Sequence, residues 1–371
     1  MKLNSYSKMF LSLGGLLMLA GCVVPVAKKS SSVEAVLATY TDNTVVATYS
    51  KMSDAAIALD KAVADLKAQP TDAKIAEAAK LWSRVRGAWE QSESFLFGPA
   101  SFTNLDPKLD SWPLDQAQLD TILAAIDGGK LEVDASYVRD YLGAALRGFH
   151  AVEYLLFRDG KPRLAKDLTS GQLAYLAAAV RVLAEDSITL EAWWVGMDEL
   201  SEEKSAILEA AEIEVGGSYA NELKNAGKAG SRYESQDEAI EEIIQGCIDI
   251  ASELAEAKIG GPAKSGDPKE FESWYSFTSL DDCRNNLISV RNAYEGVEAN
   301  GNNISSLVAA KSKDADAKVK ASIASAFKSL DAFKAPFCVS LESNKADFAT
   351  AVAACEELSK SLEEALELFT K

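Results

Sequence analysis

The chain has 371 residues, 48% of them apolar, a formal charge of −18 and a single histidine. Such an acidic body repels nucleic acid and anionic head groups, so neither is an expected partner. One histidine also excludes a His-Glu-x-x-His zinc site and any centre built on two or three imidazoles.

Lys2 and Lys8 precede an apolar run, Met9 to Ala20, that is too short to span a bilayer. It ends in Leu19-Ala20-Gly21-Cys22, which resembles a bacterial lipobox. That resemblance implies a signal peptide over 1–21 and lipid on Cys22, hence a membrane anchor; an ordinary secretory signal is the alternative. Val23 after the cysteine does not signal inner-membrane retention, so an outer-membrane lipoprotein is expected. Residues 22–32 then read as a tether. Loss of 1–21, with two lysines, takes the charge from −18 to −20.

Apolar residues recur at helical spacing almost throughout, and no run alternates as a strand does. The expected fold is all-α, with two helical-bundle domains over 33–215 and 216–371. A long helix covers Ser32 to Ala68, loosened near Thr41-Asp42-Asn43, and a second, capped by Thr71, runs to about Phe95. Gly98 to Pro113 is an aromatic, proline-containing loop of the kind that carries function. Helices follow over Leu114 to Asp127, Ala135 to Phe157, Ser170 to Trp194 and Ser201 to Ile213. A polar stretch with glycines, Gly216 to Ser231, marks the boundary. Gln236 to Lys258, Pro268 to Glu295, Ile304 to Phe333 and Asn344 to Lys371 complete the second half. Val85-Arg86-Gly87-Ala88-Trp89-Glu90 is echoed by Val290-Arg291-Asn292-Ala293-Tyr294-Glu295, which suggests an internal duplication.

Cys247, Cys283, Cys338 and Cys355 could form two disulfides or stay as buried thiols. Without a Cys-x-x-Cys pair, a zinc ribbon or thioredoxin-type centre is not expected.

The chemistry concentrates in Gly148-Phe149-His150-Ala151-Val152-Glu153. Three residues apart on a helix, His150 and Glu153 project from one face, as a metal-ligand pair or a general-base pair. A purely structural hydrogen bond is the alternative. A glycine within a helix costs about 1 kcal/mol against alanine, so Gly148 implies close approach of another backbone or a ligand. Upstream, Arg86, Glu90 and Glu93 share a broad helix face.

The Gly148-x-His150-x-x-Glu153 motif, the Trp82…Arg86…Glu93-Ser94-Phe95-Leu96-Phe97-Gly98-Pro99 stretch and Asp110-x-Trp112-Pro113 resemble the imelysin family of bacterial envelope proteins. Residues 290–296 and 304–308 are similar to its second half, more loosely. The resemblance implies a two-domain helical protein associated with iron regulation and proposed iron uptake, some members being labelled peptidases. It implies His150 and Glu153 as metal ligands, Glu93 and Asp110 as further acidic ligands, and Arg86 and Arg291 as balancing charges. The expected function is capture of a metal ion, iron foremost with zinc and copper as alternatives, by a lipid-anchored envelope protein. A partner from an uptake system would receive the ion. A metallopeptidase and a peptide- or glycan-binding module, lined by the Gly98 to Pro113 aromatics, remain open beside it.

Overall fold

A computed structural model describes residues 32–298 and 301–370. The lipobox-like segment, Cys22 and nearly all of the tether lie outside the described residues. Among the described residues the fold is all-α apart from one short hairpin.

The first long helix forms in three pieces. α1 (Val33–Thr39) passes through a π-helical stretch, Tyr40–Val46, into α2 (Ala47–Ala68). The loosening expected near Thr41-Asp42-Asn43 is this wider coil. Thr71 caps α3 (Asp72–Glu90) by accepting the amide of Lys74 at 3.3 Å. Turns over 91–98 lead to two short helices, α4 (Pro99–Phe102) and α5 (Leu105–Leu109), within the aromatic loop. α6 (Gln116–Asp127) follows, its amide end capped by Asp115.

The helix expected over Ala135 to Phe157 is broken. α7 (Ala135–Tyr141) stops, and α8 (Gly148–Leu156) starts afresh after an extended Arg147. Gly148 adopts φ +71°, a conformation side-chain-bearing residues disfavour. A Cβ there would overlap the carbonyl oxygen of Leu109 and lie 2.7 Å from that of Lys108. The missing side chain thus lets α8 begin directly against the end of α5, one residue before Asp110. The close backbone approach expected of Gly148 is present, at a helix start.

A hairpin, β1 (Phe157–Arg158) with β2 (Lys161–Pro162), leads to α9 (Ser170–Val195), which opens on a Thr169/Gln172 capping box. α10 (Glu202–Ala210) and α11 (Tyr219–Lys224) complete the first half. α2 packs between α3 and α9. In the second half α12 (Gln236–Glu253) runs into a π-helical turn, Leu254–Lys258, then α13 (Gly260–Ser265).

Pro268 to Glu295 was expected to be one helical run. Only α14 (Ser279–Glu295) is helical over its length; residues 271–278 are irregular because Ser273 and Phe277 take φ of +51° and +62°. α15 (Ile304–Lys311), α16 (Lys313–Leu330), α17 (Phe337–Ser340) and α18 (Lys345–Leu366) end the fold, with α18 against α12 and α16.

Helices of the two halves pack directly on each other. α14 lies along α3, and α12 lies on the turn at Glu93–Phe95. Gly246 permits the second contact, because a Cβ at that point of α12 would overlap the Ser94 carbonyl oxygen. The Ser94 amide in turn donates to Ser289 Oγ of α14 at 2.9 Å, and the two hydroxyls share a hydrogen bond at 2.7 Å. All four described cysteines are free thiols; Cys247, Cys283 and Cys355 are buried.

Replacing Gly148 by alanine should destabilise the protein by more than about 2 kcal/mol, through the forced conformation and the overlap with Leu109. Urea denaturation followed by circular dichroism reads this directly. A change within about 0.5 kcal/mol, as at an ordinary surface site, would show that α8 does not abut α5.

Candidate metal centre

The centre is built from the elements whose helical runs break. α3 brings Arg86 and Glu90, the following turn brings Glu93, and the end of α5 brings Asp110. α8 brings His150 and Glu153; residues 271–278 and α14 bring Glu272, Ser276, Asp282 and Asn286. The π-helical turn after α12 brings Lys258.

Arg86 is the hub. Its side chain is 1% exposed, and its guanidinium meets Glu90, Asp110 at 2.5 Å, Glu272 at 3.5 Å and Asp282 at 3.8 Å. Phe149 packs its ring 5.3 Å from the guanidinium carbon. Asn286 donates to Glu90 Oε2 at 2.5 Å, and Trp89 Nε1 donates to Asp110 Oδ2 at 2.7 Å.

His150 is held between two carboxylates. Nδ1 is 3.0 Å from Glu153 Oε2, and Nε2 is 3.0 Å from Asp110 Oδ1. The first is an aligned hydrogen bond; the second is a close charge contact whose N–H is not aimed along the line. Glu153 is fixed from its other side by Ser276, whose amide and hydroxyl donate to Oε1 at 2.8 and 2.7 Å. Trp112 covers the imidazole at a ring separation of 4.7 Å. Burial pulls the His150 pKa down, but Asp110 and Glu153 outweigh it and push it up to about 9. The imidazole is therefore a cation at neutral pH, hydrogen-bonded through Nδ1 to Glu153 and presenting Nε2 to Asp110 as a charge contact.

The acids divide by environment. Burial works to raise Asp110, yet Arg86 and His150 overcome it and hold the carboxyl well below the usual range. Burial pushes Glu93 well above that range against the pull of Lys258, and Asp282 likewise against Arg86. Asp106, nearer the surface, is pushed up to about 6 by burial and by Asp110.

Among the described residues, Glu90, Glu93 and Asp110 can each offer one oxygen such that the three lie within 4.8 Å of one another, close enough to share a metal ion. Glu90 Oε1 and Asp110 Oδ1 both face the Arg86 guanidinium, and Asp110 Oδ1 also lies 3.0 Å from His150 Nε2, so a cation seated there would share these oxygens with Arg86. The donor set fits a hard or borderline ion: all oxygen, anionic and largely dry.

The expected residues are thus mostly brought together. Glu93 and Asp110 belong to the trio. His150 and Glu153, the expected principal ligands, stand beside it, with the imidazole between Asp110 Oδ1 and Glu153 Oε2. Gly148 acts through the backbone. Arg291 is not at the site: it is exposed, and its guanidinium stands 5.1 Å from the Phe327 ring. The second cation near the acids is Lys258, which sequence reasoning missed. Glu90 was recognised only as sharing a face with Arg86; its spacing of four from a buried arginine was the available signal. No motif pointed to Lys258, Glu272 or Asp282.

The Imelysin family model, a peptidase M75 family by its label, matches residues 45–365. The chain belongs to the Imelysin family. It is 32% identical over 262 residues to iron-regulated protein A of Synechococcus elongatus, an alignment covering 71% of this chain. The chain spans 64% of the length of that relative. The crystal structure of a Parabacteroides distasonis ATCC 8503 protein assigned as an iron-regulated protein A precursor superposes with a TM-score of 0.76 at 29% identity, covering 93% of this chain and 97% of the other. An imelysin-like protein from Psychrobacter arcticum 273-4, at 12% identity and a TM-score of 0.64, shares the fold over 90% of this chain and 95% of its own.

A lone histidine makes the charge state of the imelysin-type motif directly readable. In the metal-free protein the His150 ring protons should titrate near pH 9 by NMR, not near the ordinary 6.5. The folded value lies above the unfolded one, so His150 contributes stability fully below about pH 6.5, and the contribution fades as pH rises through about 9. A midpoint near 6.5 would mean that Asp110 and Glu153 do not hold the proton.

Proposed function

We propose that this imelysin-family protein captures a metal ion, iron foremost, in the carboxylate trio Glu90, Glu93 and Asp110. The carrying observation is that these three acids, whose side chains are at most 6% exposed, can each bring an oxygen within 4.8 Å of the others. His150 and Glu153 support the site by fixing Asp110. The iron-regulated names of the relatives favour iron over zinc or copper, as does an all-oxygen donor set. The lipobox-like Cys22 supports a lipid anchor at the outer membrane, and an uptake-system protein is the proposed recipient of the ion. The proposed domains remain 33–215 and 216–371, with the site drawing on both.

The peptidase label of the family suggests hydrolysis instead. A zinc hydrolase needs an open coordination position and a separate base held free to take a proton. Here both nitrogens of the one imidazole face carboxylates, and Glu153 is spent on His150 and Ser276. Capture fits this arrangement better than turnover.

Elemental analysis after exposure to Fe(II), Fe(III), Zn(II) and Cu(II), on protein purified without a histidine tag, tests the reading. The parent should retain near-stoichiometric metal. Asp110→Asn and Glu90→Gln should lose it, and His150→Ala should weaken retention by about 10- to 100-fold, as outer-shell changes do. Equal metal in the parent and Asp110→Asn would sink the assignment.

A further inference from the structure

Lys258 occupies the position a captured cation would contest. Its ammonium is 2.7 Å from Glu272 Oε2, 3.7 Å from Glu90 Oε2, 3.7 Å from Glu253 Oε1 and 3.9 Å from Glu93 Oε1. Two of these acids belong to the metal-binding trio. Of the other cations against the trio, His150 touches only Asp110, and Arg86 differs from Lys258 in freedom. Its guanidinium is clamped among four carboxylates and the Phe149 ring, on the last turns of α3. Lys258 instead ends a π-helical turn and carries its charge on a flexible four-carbon stem. Interruptions of that type in a helix frequently mark functional positions.

Beyond Lys258 lies an open cleft of about 970 Å³. Glu93, Asp106, Glu241, Glu242, Asp249 and Glu253 are among the acids that line it. Lys258 touches the cleft-lining Glu93 and Glu253 and also Glu90 of the trio, so it bridges the two. The cleft concentrates cations by its charge. A metal ion passing inward to Glu90 meets the ammonium a few ångströms away, where repulsion between like charges is strong. The side chain has somewhere to go: Glu253, 46% exposed, offers a carboxylate on the cleft side.

We propose that Lys258 is a resident counter-ion displaced by the metal. It neutralises the acid cluster when the site is empty, and swings toward Glu253 and the cleft when an ion seats among Glu90, Glu93 and Asp110. This rests on the metal-capture reading and adds its regulation: affinity is held down by an internal competitor, which favours release to a recipient as well as loading.

The test uses the purified chain with Fe(II) under anaerobic conditions and Zn(II) in parallel. Acetylation of lysines by an activated ester, read by mass spectrometry, should leave Lys258 protected without metal and modify it once metal is bound. Lys258→Gln should bind metal more than about tenfold more tightly, since a like charge beside the ion is removed; Lys258→Arg, which keeps the charge, should not. Metal binding with Lys258 still protected, or equal or weaker affinity in a folded Lys258→Gln, overturns the displacement while leaving capture intact. Failure of both parent and Lys258→Gln to bind either ion would overturn capture itself, and the displacement with it.

Discussion

The buried guanidinium of Arg86 is the interaction on which the centre depends. It draws carboxylates from α3, from the end of α5, from the irregular 271–278 segment and from α14 to a single point. None of those acids would be tolerated away from water alone, because an unpaired buried charge is far more costly than helix packing can offset. Breaking a buried pair of this kind typically costs about 3–5 kcal/mol. The arginine therefore does more than balance charge. It dictates where two non-helical segments must lie, and it does so from near the C-terminal end of α3, between Phe149 and α14.

Around that hub the acids play unequal parts. Asp110, pressed by Arg86 and His150, stays ionised and anchors the network; Glu93, with only Lys258 opposite and burial against it, is held toward its neutral form. The cluster thus holds a fixed anion on one side and an adjustable acid on the other. The imidazole of His150 contributes as a clamp. By donating to Glu153 and pressing on Asp110 it sets the direction of the ligand, a role that needs the proton to stay on the ring.

Much of this was legible in the sequence, and the rest was hidden for identifiable reasons. Helices such as Ser170–Val195 follow from apolar spacing and a Thr-x-x-Gln cap. The two failures, at 142–147 and 271–278, are places where backbone geometry overrides periodicity. At the first the clue was Gly148. At the second, Ser273 and Phe277 take left-handed conformations that neither residue type advertises. Arg86, Glu93, Asp110, His150 and Glu153 could be found because they sit near one motif-rich stretch. Lys258, Glu272 and Asp282 could not, because they come from segments whose charges look like any solvated helix face. The echo between Val85–Glu90 and Val290–Glu295 misled for Arg291 in particular. Tyr294 is buried as Trp89 is, but α14 turns Arg291 outward onto Phe327.

The contacts that finish the centre span long stretches of chain. Ser276 reaches back 123 residues to Glu153, and Asn286 reaches back 196 to Glu90. Contacts of such separation close late, after local helices have formed, because the loop entropy is lost before the contact repays it. For most of folding, then, the carboxylates of the first half are ordinary solvated acids beside an unshielded imidazole. The acid cluster acquires its burial and its full set of partners only when α14 docks.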